Sequence, residues 1–485
     1  MLTHALGIIE KKDKQLEELT AALEEAAFEQ YYRHVETDIP ARERAIRECL
    51  LAPELADACR VVSDAGVEAT AKRSARVLAD WVTEARTMTD EIIAVKNDIQ
   101  KLVIETKPEL DGVPIPRHEK TRILFKDDDR GRRRSAYESE TPLRTRLAEK
   151  ARYLFRLRNE VAQGLGFGDF PTLTLAAEDL TVEELLAIFE RYERETRPAF
   201  EAVMAEGRER FKLDRVEPWD LNYIADKLCT PADSHFPAGE ALASLRRTVA
   251  ALGRDLDSLN IPIHADADIP YGGLCFAVRV PDDIRILLNL KDGMSDYQTL
   301  FHEFGHAVHR KFVAAKPYAL RVGETGFFAE GMADVWALFV NRPSWLRANT
   351  KLTAAEVDAV AANAARIFAV RTRRFMAAQL VEIQIYRDLD GDWDRYYDEA
   401  SRRYLGVATG PDIWKEFYFP HLYPVYNKNY MLARVIQRGV HARLEREFGD
   451  FLGQPAAFDF LVTHLYAPGA SLPWKEKLAR VEVAI

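Results

Sequence analysis

The stretch 274–306 constrains this 485-residue chain more than any other, because the period of its apolar residues changes there. Leu274-Cys275-Phe276-Ala277-Val278-Arg279-Val280 and Ile284-Arg285-Ile286-Leu287-Leu288-Asn289-Leu290 are β-rich runs around Pro281-Asp282-Asp283, which reads as a hairpin. A helical pattern follows at once. Ser295-Asp296-Tyr297-Gln298 has the form of a capping box, and Tyr297, Phe301, Phe304 and Val308 make an apolar stripe. Within that helix, residues 302–306 read His-Glu-Phe-Gly-His.

Residues four apart on a helix lie one turn apart on nearly the same face, so His302 and His306 can converge on one ion. Glu303 projects roughly 100° away around the axis. From there it can reach a water beside the ion without ligating the ion, as a general base requires. Gly305 costs the helix up to about 1 kcal/mol relative to Ala, which asks for close packing at that point. The competing reading, two histidines satisfied on a helix surface, leaves the helical phase and Glu303 without a purpose.

A catalytic zinc has three protein ligands and an open position, so a third ligand is expected from a separate element. Glu330 lies 24 residues beyond His306 in Gly323-Glu324-Thr325-Gly326-Phe327-Phe328-Ala329-Glu330-Gly331-Met332-Ala333-Asp334-Val335-Trp336. Asp334, one turn further, can accept a hydrogen bond from a ligand imidazole and fix its tautomer. Glu324 is the rival ligand. His309 lies two turns from His302, about 10 Å along the axis, and reads as a lining or surface residue.

A third cluster, Phe417-Tyr418-Phe419-Pro420-His421-Leu422-Tyr423-Pro424-Val425-Tyr426-Asn427-Lys428-Asn429-Tyr430, offers phenol and imidazole donors of the kind an oxyanion needs. Aromatic clusters are more often core than catalytic, and the residues alone favour core.

Elsewhere the chain reads as helix, with three-to-four spacing at Leu16, Leu19, Leu23, Ala26 and Ala27 and again around 66–105, 143–165, 182–212 and 354–388. The expected fold class is mainly α with one small β-sheet beside the metal-binding helix. Residues 1–135 are expected as a helical region forming a wall or lid and 136–485 as the catalytic region, with lobes interleaved in sequence. Lys107 to Pro116, rich in proline, is the candidate for a linker or an extended arm. A net charge of −10 argues against a nucleic-acid surface, and the basic run 130–134, directly after three aspartates, reads as a solvated loop. Four scattered cysteines suit neither a disulfide framework nor a cysteine zinc site. No signal-like N-terminus or membrane-length apolar run is present, so a cytoplasmic protein without membrane partners is expected.

The three clusters together resemble the thimet oligopeptidase and oligoendopeptidase F family of zinc peptidases. The resemblance rests on His302-Glu303-Phe304-Gly305-His306, Glu330, and His421 with Tyr426 and Tyr430, and is specific over roughly residues 270–435; Pro218 to Tyr223 looks like a further short family stretch. It implies a two-lobed helical body with a deep channel for short peptides and one zinc ion held by His302, His306 and Glu330. It further implies that Glu303 is the base, that His421, Tyr426 and Tyr430 stabilise the oxyanion and orient substrate, and that the hairpin supplies an edge strand for the substrate backbone. Gly331-Met332-Ala333-Asp334 replaces a Pro-Ser-Gln-like stretch of thimet-type members, and Ala433 stands where a further tyrosine is expected. Hydrolysis of internal peptide bonds and carboxypeptidase cleavage both remain open; the latter needs a cation for the substrate carboxylate, for which Lys415 and Lys428 are candidates. The third reading is a catalytically idle peptide-binding protein.

Overall fold

Apolar stripes at helical spacing become long helices, and the computed structural model, which describes residues 1–410 and 419–485, is mainly α-helical. Lys415, Phe417 and Tyr418 lie outside the described residues. Contacts divide the chain into two units. The first comprises 1–86, 231–361 and 432–485, and the second 87–230 and 362–431. The chain therefore leaves and re-enters each unit, and the divisions do not fall after residue 135.

In the first unit the N-terminal helix Leu2–Arg33 buries Leu16 and Ala26 on the face marked by their spacing. Its Asp13 accepts the N–H groups of Tyr318 (2.7 Å) and Ala319 (2.8 Å), satisfying donors at the start of the helix Tyr318–Val322. The hairpin forms as read, in a three-stranded sheet. Asp283–Leu288 is central, with Ile263–His264 parallel on one side and Gly273–Arg279 antiparallel on the other. The strand Gly273–Arg279 is thus an edge strand. Alternation sends Phe276 and Val278 into an apolar cluster with Phe28 of the N-terminal helix. Gly273 and Cys275 turn to the opposite face, against the helix Met294–Lys311.

The second unit is built on the helices Thr141–Gly164 and Val182–Arg210, with a core that includes Leu147, Leu154, Phe155, Tyr386 and Trp393. The proline-rich 107–116 stretch forms a short antiparallel ladder, Glu109–Leu110 with Val113–Pro114, because Asp111 and Gly112 both take the positive φ of a tight turn. The basic run opens the helix Arg130–Glu138 rather than a loop: Asp129 caps it, and fully buried Asp220 accepts from Arg130 (2.8 Å) and Arg133 (2.9 Å). No helix among the described residues is long and apolar enough to cross a membrane. The four cysteines are free thiols.

Candidate metal centre

The helix Met294–Lys311 begins earlier than its capping-box pattern suggests. Gly293, at φ 134°, is the N-cap, so Ser295 lies inside the first turn and Gln298 instead donates to Asn341 (2.8 Å). Tyr297, Leu300, Phe301, Phe304 and Val308 are buried along one face. That anchoring leaves His302 and His306 on a different face, with their Nε2 atoms 3.1 Å apart.

A second helix, Gly326–Ala337, crosses at Gly305. A Cβ there would lie 2.7 Å from both Cα and the carbonyl oxygen of Ala333, so only glycine permits this approach. The crossing delivers Glu330 to the histidines. Its Oε2 is 3.4 Å from Nε2 of His302 and 3.9 Å from Nε2 of His306. A tetrahedral zinc with bonds of 2.0–2.1 Å separates its ligand atoms by roughly 3.3 Å, so the three donors fit such an ion with small adjustments. Among the described residues this is the one group of three His, Cys, Asp or Glu side chains spaced to hold a metal.

Asp334, one turn beyond Glu330, places Oδ1 2.9 Å from Nδ1 of His302. With Nδ1 committed as a donor, Nε2 is the atom presented to an ion. In the metal-free chain, burial opposes a charge on His302. Hydrogen bonds to Asp334 and Glu330 outweigh it and push the pKa well up, while burial and then the His302 charge push His306 well down.

Glu303 turns toward the edge strand, where Gly273 makes room for it: a Cβ on Gly273 would stand 2.6 Å from Cγ of Glu303. Burial raises the Glu303 carboxyl above its ordinary range, with the Glu330 charge adding to this and His302 and Arg310 opposing it. Arg310, two turns on, donates to Cys275 Sγ (3.7 Å) of the same strand. Gly273 was not read from the sequence, although a glycine pair entering a strand is a signal of close backbone approach.

Glu324 is committed elsewhere. It lies 2.6 Å from Nε2 of His309 and accepts from Lys477, and all three side chains are buried. His309, read as lining or surface, is only 3% exposed and packs against Phe328 and Tyr466.

The late cluster lies in the second unit. Tyr426 and Tyr430 bracket the start of the helix Asn427–Phe448 with ring centroids 5.4 Å apart, and Phe375 packs on Tyr430 at 5.2 Å. His421 is placed differently from a donor to substrate. Its ring is buried edge-on to Phe155, neither ring nitrogen has a hydrogen-bond partner among the described residues, and burial, then Arg158, pushes its pKa down to about 3. Arg158 instead accepts its position from the chain here, donating to the carbonyls of Pro420 (3.1 Å) and His421 (2.6 Å). Lys428 is buried and paired with Glu178 at 2.7 Å.

No protein-family model and no curated protein matches the sequence. Solved structures do match. PZ peptidase A with inhibitor 2 superposes with a TM-score of 0.73 at 15% identity, covering 100% of this chain and 92% of that one. This chain has the fold of that structure. A structure assigned as oligoendopeptidase F gives the same figures, TM-score 0.73, 15% identity, and 100% and 92% coverage. The Pyrococcus furiosus carboxypeptidase, in its Apo-Mg structure, gives 0.67 at 15% identity over 98% of this chain and 95% of that one. The helical fold is shared along the whole length of this chain.

Proposed function

We propose that the chain is a zinc-dependent peptidase that hydrolyses internal bonds of short peptides. The observation that carries this reading is the convergence of His302, His306 and Glu330 at ligand spacing, with Glu303 beside them but outside the donor set. Peptidase activity in the structurally similar proteins supports it. His302, His306 and Glu330 would hold the ion, which when bound supplies a Lewis acid for the scissile carbonyl and for the attacking water.

Glu303 takes the proton of that water and returns it to the leaving amine. Burial, which raises its pKa, favours the proton-accepting half of this exchange. Asp334 keeps His302 in the tautomer that presents Nε2. The edge strand Gly273–Arg279 aligns the peptide backbone by strand addition. Tyr430 and Tyr426 are the donors to the oxyanion. His421, whose ring is buried edge-on to Phe155, is left out of the donor set.

Carboxypeptidase cleavage is the second reading, favoured by the likeness to the Pyrococcus furiosus enzyme. Lys428 does not serve it, because Glu178 already neutralises that ammonium. Internally quenched peptides, with free and amidated C-termini, test both together with metal analysis of the same preparation. Chelator-sensitive cleavage indifferent to amidation supports the endopeptidase. Cleavage abolished by amidation supports the carboxypeptidase. Protein carefully prepared with zinc that neither binds it nor cleaves any peptide overturns the proposal.

A further inference from the structure

The edge strand has a defined open segment, and both of its ends are built from named side chains. Leu288 directs its carbonyl away from the edge strand to Ala267 N–H (2.9 Å), and Ile286 directs its N–H away to Pro262 (2.9 Å). In an antiparallel pair, residues facing each other across such a position also turn their main-chain groups outward. Their partners in register are Gly273 and Cys275. The Asn289 N–H to Gly272 carbonyl bond (3.0 Å) gives the same parity, with even-numbered groups turned inward. Among the described residues, no protein group hydrogen-bonds the outward N–H or C=O of Gly273 or Cys275.

The next outward N–H, that of Ala277, is taken: it donates to Oε2 of Glu24 (3.2 Å) on the N-terminal helix. That helix then follows the strand. Phe28 packs edge-on against Phe276 (5.6 Å between centroids), and Glu18 accepts from Arg279 (2.9 Å). At the opposite end the open segment starts beside the Glu303 side chain, at Gly273. Between Glu303 and Glu24, the outward main-chain N–H groups left unpaired among the described residues are therefore those of Gly273 and Cys275.

We infer that Glu24 is a stop for the substrate strand, a residue that sets how much of one flank of a peptide the enzyme reads. This rests on the peptidase reading above. A peptide added to the edge exchanges hydrogen bonds with Gly273 and Cys275, which spans about three substrate residues. A fourth pairing would have to use Ala277. There a substrate carbonyl finds its donor already satisfied and meets the carboxylate of Glu24, acceptor against acceptor. Residues beyond that point gain nothing from the edge.

The test is a set of peptides with one fixed scissile bond, lengthened one residue at a time on either flank, with kcat/KM measured for the wild type, Glu24→Ala and Glu24→Ser. Both substitutions release the Ala277 N–H, and the serine variant carries the test if the alanine variant does not fold. On the flank that lies along the edge, the wild-type value should stop rising after about three residues. In the variants it should rise further by roughly 2- to 10-fold over the next two residues, the worth of one added net hydrogen bond. The other flank should give the same profile in all three proteins. An unmoved plateau in both variants, with cleavage intact, overturns the stop and leaves the peptidase reading standing. A wild-type protein that cleaves none of the peptides removes both.

Discussion

Oδ1 of Asp334 lies 2.9 Å from Nδ1 of His302, and this contact fixes which nitrogen of the imidazole faces Glu330 and His306. Without it the ring can turn and present either tautomer, so an ion must spend binding energy to order its own ligand. Asp334→Ala is expected to weaken zinc binding by roughly 10- to 100-fold. Competition against a chromophoric chelator measures this without reference to turnover, and an unchanged affinity would remove Asp334 from the site.

Behind Asp334 stands Gln437, on the helix Asn427–Phe448. With its amide nitrogen turned to Asp334, it donates to Oδ2 (3.2 Å) and to the main-chain oxygen (3.2 Å) of that residue. Its neighbour Ile436 packs on Gly331, where a Cβ would lie 2.9 Å from Cγ2 of the isoleucine. The two contacts are separable. Gln437→Leu should weaken zinc binding by roughly 5- to 10-fold through loss of a hydrogen bond to a charged group. Ile436→Ala should lower stability and leave affinity within about 2-fold. Equal losses of affinity in the two variants would mean that general packing, not the amide, is responsible.

Much of this centre is legible in the sequence because its chemistry is local. The turn from His302 to His306 and the turn from Glu330 to Asp334 are each short-range patterns, and Gly305 announces the crossing that joins them. What the sequence hides depends on distant partners. The 130–134 run reads as solvated because Asp220, which accepts from Arg130 and Arg133, lies far along the chain. His309 reads as a lining or surface residue because Glu324 and Lys477 come from two other segments. Gln437 carries no motif at all. Ser295 is misread for the opposite reason: a valid local cap is overridden two residues earlier by Gly293.

Gly273 makes a prediction about catalysis separate from metal binding. A methyl group there would overlap Cγ of Glu303, at 2.6 Å, and approach Leu288 (3.0 Å) and Thr299 (3.1 Å) as well. The glutamate is the flexible partner and is the one to move. Misplacing a reacting group by about 1 Å costs on the order of 10²-fold in rate. Gly273→Ala should therefore lose kcat by about that factor while zinc content stays at the wild-type level. Glu303→Gln should also keep its zinc and lose roughly 10²- to 10⁴-fold. A Gly273→Ala protein with wild-type kcat would show that Glu303 has room to spare.

At Gly305 the clash is with backbone. The Ala333 Cα and carbonyl oxygen, each 2.7 Å from the added Cβ, cannot rotate away as a side chain can. Gly305→Ala should force the two helices apart and carry Glu330 away from the histidines. The expected outcome is loss of both stability and zinc, seen as a lowered urea midpoint and zinc that washes out on dialysis. This pairing of defects distinguishes it from Gly273→Ala.

His441 makes the stability of the fold pH-dependent. Its Nε2 donates to the Val335 carbonyl (2.7 Å), and the ring lies against Phe339 and Phe451, with Arg342 over the latter. Burial pushes its pKa down to about 3; Arg342 adds to this, and the bond to Val335 opposes it. The unfolded chain, with an ordinary histidine near 6.5, takes up the proton first as pH falls. The stabilisation from keeping this ring neutral is therefore complete above about pH 6.5 and is lost progressively toward pH 3. Between pH 7 and pH 5 one such histidine costs the fold about 2 kcal/mol. Urea unfolding of metal-free wild type and His441→Gln at pH 7, 6 and 5 isolates it, since every other titrating group is common to both proteins. The variant should be the less stable at pH 7, and the gap should close by about 2 kcal/mol at pH 5. A gap that stays constant across this range would mean that His441 titrates alike in the folded and unfolded chains.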